Sequence, residues 1–308
     1  MPKHAAYTQI EETLAATLRA ALASRLADLR DAAHARLVTR DFAGAKADAL
    51  RFSARGALSD RSPRMQELAT TALLFGASRL AKPKDTTLAR SGQIPAELHT
   101  ALAQLVLMVE TEATHQVQQR CQALIAAEEE ADKQLTLAVR KADNPYAAMA
   151  GQLNAAILGT GKMVADTGAN LTTSRLASFG FVAEAVAQGI DRYQISGELD
   201  KRTCGVCRYL HGKSFDVSQA YSKLSQLLQQ QDPKDLKTAA PWPKQDAASL
   251  KELYATDEEG LQARGIDSPP FHPLCRCILV PDGTVEEEIP TRDQGSFDLG
   301  DIEDPEEA

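Results

Sequence analysis

Aromatic side chains are scarce in this chain: they make up 5% of its 308 residues, with a single tryptophan. Ala and Leu carry most of the apolar content, and that balance favours helix packing over sheet packing. No apolar stretch approaches the ~20 residues needed to cross a bilayer. The longest aliphatic run, near ALAQLVLMV at 101–109, falls far short. The opening MPKHAAYTQIEETL has no apolar signal core with a small-residue cleavage site. The expectation is a protein made in the cytosol, with no membrane partner. A phosphate-binding glycine loop, G-x-S-x-G and H-E-x-x-H are all missing, so no common catalytic motif argues for an enzyme. Cysteine is limited to five residues, four of them in two close pairs. In a reducing compartment that arrangement favours metal ligation over a disulfide framework.

The charge is uneven. The net is −8, yet residues 282–308 hold eleven acidic residues against Arg292 alone. The rest of the chain is close to neutral, so charge gives no general case for nucleic-acid binding. The tail 282–308 is short of core residues and reads as disordered or held by a partner.

Helical spacing dominates the first two-thirds. Ile10, Leu14, Leu18, Leu22, Leu26 and Leu29 recur every three to four residues and predict one helix over 6–40. DFAGAKADALRFSARGALSDRSP loosens the pattern. A second helix is expected over 63–80, and Pro95 suits the first turn of the next. From 96 to about 142 nothing breaks the pattern, and Leu98, Leu102, Leu105, Val109, Val117, Cys121, Leu124 and Ile125 form its stripe. The following segment contains Gly151, Gly159, Gly161, Gly168 and Gly180, which predicts several shorter helices rather than one. Residues 191–200 and 275–283 read as two strands, each abutting a cysteine pair. Amphipathic fragments are expected over 217–228, 247–254 and 258–264. Trp242, between two prolines, reads as a packing anchor of a loop. The fold class expected is mainly α, with long N-terminal helices and a small α+β C-terminal domain. The organisation expected is a helical region over 1–170, a metal-stapled domain over 171–281 and the acidic tail over 282–308.

The chemistry concentrates in two places. Cys204 and Cys207 form C-G-V-C, with Gly205 expected to permit a tight turn; His272 and Cys275 form H-P-L-C, with Cys277 two residues on. Two short chelating loops brought together suit tetrahedral zinc, and Cys204, Cys207, His272 and Cys275 complete a Cys3His set. Cys277 points to the same side of a strand as Cys275, so it is an alternative ligand. A closed four-ligand site leaves no position for water, so this Zn2+ would be structural. Two other readings remain, a thiol redox pair at Cys204 and Cys207, and buried cysteines that bind nothing. His211, with Lys213, Asp200 and Arg202 nearby, suggests a hydrolytic centre only weakly. A histidine packed beside the metal loop is the simpler reading, with Asp200 and Arg202 making a turn and a salt bridge.

The stretch TSRLASFGFVAEAVAQGIDRYQISGELDKRTCGVCRYLHGKSFDV, followed by PPFHPLCRCILVP, resembles the phage Mu F-like minor head proteins, the phage head morphogenesis family. The family pattern D-x-R-T-C-x-x-C falls on Asp200, Arg202, Thr203, Cys204 and Cys207, with Gly212 and Phe215 following. P-P-x-H-P-x-C-R falls on Pro269, Pro270, His272, Pro273, Cys275 and Arg276. The resemblance spans about 173–281; the long insert between the two motifs has no clear counterpart. It implies a structural, non-enzymatic role in a tailed-phage or prophage head, made in the host cytoplasm and carried in the virion. The partners it implies are the portal protein or the major capsid protein, and some members travel with the packaged DNA. Two alternatives are a zinc-containing nucleic-acid-binding protein, drawing on Lys201, Arg202, Arg208, Lys213 and Arg276, and a nuclease- or toxin-like enzyme.

Overall fold

The leucine repeat of the first forty residues becomes one helix, α1 (Ala5–Val38), which buries Ile10, Leu14, Leu18, Leu22, Leu26, Leu29 and Leu37 along one stripe. These positions come from a computed structural model that describes residues 5–91, 95–134, 145–230, 236 and 239–285. The tail expected beyond Pro281 therefore lies, from residue 286 on, outside the described residues.

A short helix, α2 (Phe42–Arg51), forms where the sequence pattern only loosens. Asp41 caps it by accepting from Gly44 N, and it buries no more than Ala45 and Ala49. Helix α3 (Pro63–Ala77) starts with proline at its first position and leads through a 3-10 turn (Pro83–Asp85) to α4 (Thr87–Ser91). Pro95 immediately precedes α5 (Ala96–Gln134), which at 1.5 Å per residue is about 58 Å long. Its buried stripe runs through Leu98, Leu102, Leu105, Val109, Val117, Cys121 and Ile125, as expected, with Leu124 partly buried. The continuation expected to about residue 142 falls outside the described residues.

The segment expected to break into several helices is one helix of 44 residues, α6 (Pro145–Gln188). Helices α1, α3 and α5 all pack along it. Close packing at some of its glycines explains why it does not break there. A Cβ at Gly180 would fall inside the Leu73 carbonyl oxygen, and one at Gly76 of α3 inside the Ala177 carbonyl. The two glycines let α3 and α6 cross backbone to backbone, and that packing offsets the ~1 kcal/mol each glycine costs a helix. The boundary expected near 170 falls inside α6, and one core extends from Ile10 to Leu279.

After α6 the chain enters a three-stranded antiparallel sheet in the order β2–β1–β3. Strand β1 (Arg192–Ser196) is central; β2 (Ser214–Asp216) and β3 (Ile278–Pro281) flank it. Tyr193 faces Phe215 on one side and Pro281 on the other, and Ile195 faces Leu279. The two expected strands are present and paired; the third, β2, is an addition. Among the described residues this end also carries α7 (Gly205–Leu210), α8 (Val217–Gln229), α9 (Ala247–Tyr254) and α10 (Glu258–Ala263). Trp242 is 38% exposed rather than a buried anchor. No helix among the described residues is long and apolar enough to cross a membrane.

Candidate metal centre

Strands β1 and β3 set the two cysteine pairs side by side, because β1 leads into the first pair and β3 follows the second. Cys204 is the N-cap of α7, and its sulfur accepts from Cys207 N at 3.4 Å. One turn of helix thus aims both sulfurs the same way. Gly205 does not serve the turn. A Cβ there would meet the Tyr254 hydroxyl at 2.8 Å and Leu250 Cδ1 at 3.2 Å, so glycine admits α9 against the cysteine loop. Gly212 does sit in the left-handed region, at φ +81, where the chain turns from α7 into β2. Its N–H donates to Ile195 O at 2.8 Å.

The second loop is held from several sides. Lys223 of α8 reaches Gly265 O and the buried Asp267 carboxylate, and Tyr193 donates to Asp267 O at 3.0 Å. From α6, Ser178 donates to Pro269 O and Asn170 Nδ2 to Cys275 O at 3.0 Å. The Pro269–Pro270 bond is cis, and Leu274 sits at φ +59 between His272 and Cys275. A left-handed leucine costs roughly 1–2 kcal/mol, which the surrounding anchors hold in place.

The result gathers all five expected side chains. Cys207 Sγ lies 3.0 Å from His272 Nε2 and 3.8 Å from Cys275 Sγ. The donors fall into two trios, Cys204–Cys207–His272 and Cys207–Cys275–Cys277, each with its ligand atoms within 4.8 Å of one another. Cys207 belongs to both, and Cys277 enters on the same footing as Cys275. All five are buried or half-buried. Four sulfurs and an imidazole nitrogen are the donors of a soft or borderline cation, so these groups could hold a metal ion. Cys121 lies apart in the core, and burial pushes its thiol up to about 11.

The cluster is also poised electrostatically. The hydrogen bond from Cys207 pulls Cys204 down to about 4, with His272 helping against the burial penalty. Burial opposes a charged His272, but its hydrogen bond to Cys204 and the charge at Cys275 hold it up at about 9. These contacts favour the charged forms of Cys204 and His272, and hydrogen bonds from Cys207 and Cys277 likewise lower Cys275. A bound cation would displace the proton on His272 and those on the remaining thiols, so its affinity falls as pH falls.

A second clasp, invisible in the ligand spacing, joins the two loops. Arg276 donates to both oxygens of Asp200, at 2.6 and 2.9 Å, and to Glu198 at 2.6 Å. Asp200 also accepts from Arg202 N at 2.8 Å, so the turn and salt bridge expected of Asp200 and Arg202 are present but secondary. Arg276 and its hydrogen bonds hold the Asp200 carboxyl well below the usual carboxylate range. A carboxyl made more acidic by folding stabilises above its unfolded value and loses that contribution as pH falls through the folded one. Asp200→Asn is therefore expected to lower the melting temperature at pH 7. It should also flatten the loss of stability below about pH 4, read from melting curves between pH 2 and pH 7.

The side chains suggested for hydrolysis are otherwise engaged. His211 Nδ1 accepts from Gly197 N at 3.0 Å, beside the cluster, and Lys213 pairs with Glu258 at 3.0 Å. No family of known sequences, no curated protein and no solved structure matches this chain.

Proposed function

We infer that this chain is a non-enzymatic structural protein of a tailed-phage or prophage head, of the minor head type, whose C-terminal end is stapled by one zinc ion. The observation that carries the reading is that the two stretches resembling that family, 200–207 and 269–277, meet in space. They share the Cys/His cluster and the Arg276–Asp200 clasp. Zinc is favoured because it takes tetrahedral thiolate and imidazole sets without redox chemistry. The long helices α1, α5 and α6 suit a rod-like docking surface for the portal or capsid protein. Arg202, Lys213 and Arg276 each face an acidic partner, which favours this reading over nucleic-acid binding through the same residues. The protein then belongs to the head of the virion, and to the host cytoplasm during assembly.

Expressed together with the portal protein of the same genome, the chain is expected to co-purify with portal and to persist in purified heads. Repeated absence from both would overturn the reading. A parallel shift assay on double-stranded DNA at low salt addresses the alternative, since phosphate-driven binding must weaken steeply as salt rises.

A further inference from the structure

The joint between α3 and α4 carries an excess of positive charge. Residues 78–91 contain Arg79, Lys82, Lys84 and Arg90 and a single acid, Asp85. None of the four cations has an ion-pair partner among the described residues. Arg79 is half-buried, and its Nε is buried with no hydrogen-bond partner. Burial pulls its guanidinium below the usual range, as expected of a cation without a counter-charge. Beside this joint lies a cavity of about 350 Å³, walled by Leu73, Ala77, Leu88, Phe179 and Ala183, with Glu184 at its edge.

The described chain ends close to the same helices. Val285 packs against the small cluster of Tyr7, Ala177, Ile278 and Val280, against which Phe75 of α3 also packs. Arg79 lines a small gap with Ile278 and Leu279 of β3, the strand from which the chain departs. Beyond Val285 the sequence continues for 23 residues with ten acids and one base, beginning Glu286–Glu287–Glu288. Its few large apolar side chains include Phe297, Leu299 and Ile302, set among acids in SFDLGDI. Phe297 is twelve residues past Val285, a span of up to roughly 40 Å when extended, so reach is not limiting.

We propose that the acidic C-terminal segment of this chain folds back onto its own α3–α4 joint, seating Phe297 and Leu299 in the cavity and its carboxylates on Arg79, Lys82, Lys84 and Arg90. The complementarity is double, acid to base along the joint and apolar to apolar within the cavity beside it. Tethering at Val285 raises the effective concentration of the segment to the millimolar range. The inference stands on this surface alone and does not depend on the head-protein reading.

Zero-length carbodiimide cross-linking of the full chain, mixed as light and isotope-labelled heavy protein, tests it with hydrogen exchange. The expected links join Lys82 or Lys84 to acids of 286–307 within single chains. Truncation after Val285 is expected to speed amide exchange across 73–91 by roughly tenfold, and Phe297→Ala with Leu299→Ala to do so in the intact chain. Light-to-heavy links would assign the surface to a second copy and overturn the proposal. So would the absence of links together with unchanged exchange on truncation. Links without any effect of the double substitution would overturn the seating in the cavity.

Discussion

Replacing Cys207 with serine is expected to abolish metal binding and to cost the fold on the order of 5 kcal/mol, seen as a large drop in the denaturation midpoint. Cys207 is the one ligand shared by both trios, so its loss leaves neither trio complete. It is also buried at the start of the small sheet domain, where Val206, Leu210 and Phe215 form the core around it. A metal linking residues near 204 to residues near 275 also closes a long loop of chain. Packing loss alone could mimic part of the effect. A strong chelator separates the two: it should bring wild type down to the level of Cys207→Ser and leave the variant unchanged. Cys277→Ser should be milder, because it belongs to one trio only. Equal midpoints for wild type with and without chelator would contradict the staple.

Gly180→Ala should destabilise by roughly 3 kcal/mol or more, while Gly151→Ala in the same helix should stabilise by about 0.5–1 kcal/mol. At Gly180 the obstructing atoms are the carbonyl and Cα of Leu73, all backbone, so no side chain can rotate away. Helices α3 and α6 would have to separate, thinning the contact that also walls the cavity. Around Gly151 an added methyl meets nothing within 4 Å, so only the helix-propensity gain remains. Gly76→Ala should behave like Gly180→Ala, since it meets the Ala177 carbonyl carbon and the Phe181 nitrogen. Urea denaturation of the three variants reads this directly. A Gly180→Ala midpoint matching wild type would mean that the crossing is looser than described.

The leucine spacing of α1 and α5 was legible because one buried stripe per helix imposes a 3.6-residue period. Helix α6 was misread for an identifiable reason. Glycine in a helix looks like a break until the opposing backbone that needs it is known, and Leu73 lies more than a hundred residues away. Helix α2 buries only alanines, which leave no periodic signal, and β2 is three residues whose pairing depends on β1. At the site, residue type and spacing disclosed the five ligand candidates. Arg276 and Asp200 were marked by the resemblance, but not their pairing; Asn170 and Lys223 did not show, because they act across distances in sequence that no local pattern records. Gly205 was noticed, but its reason is Tyr254 and Leu250 rather than the turn.

The most direct test is zinc per chain, measured by elemental mass spectrometry on protein purified without chelators or a histidine tag. Wild type should carry about one zinc and Cys207→Ser close to none, as a four-donor site drawn from this cluster requires. A wild-type protein that folds fully with no bound metal would contradict the account and return the five thiol and imidazole groups to a redox or purely packing role.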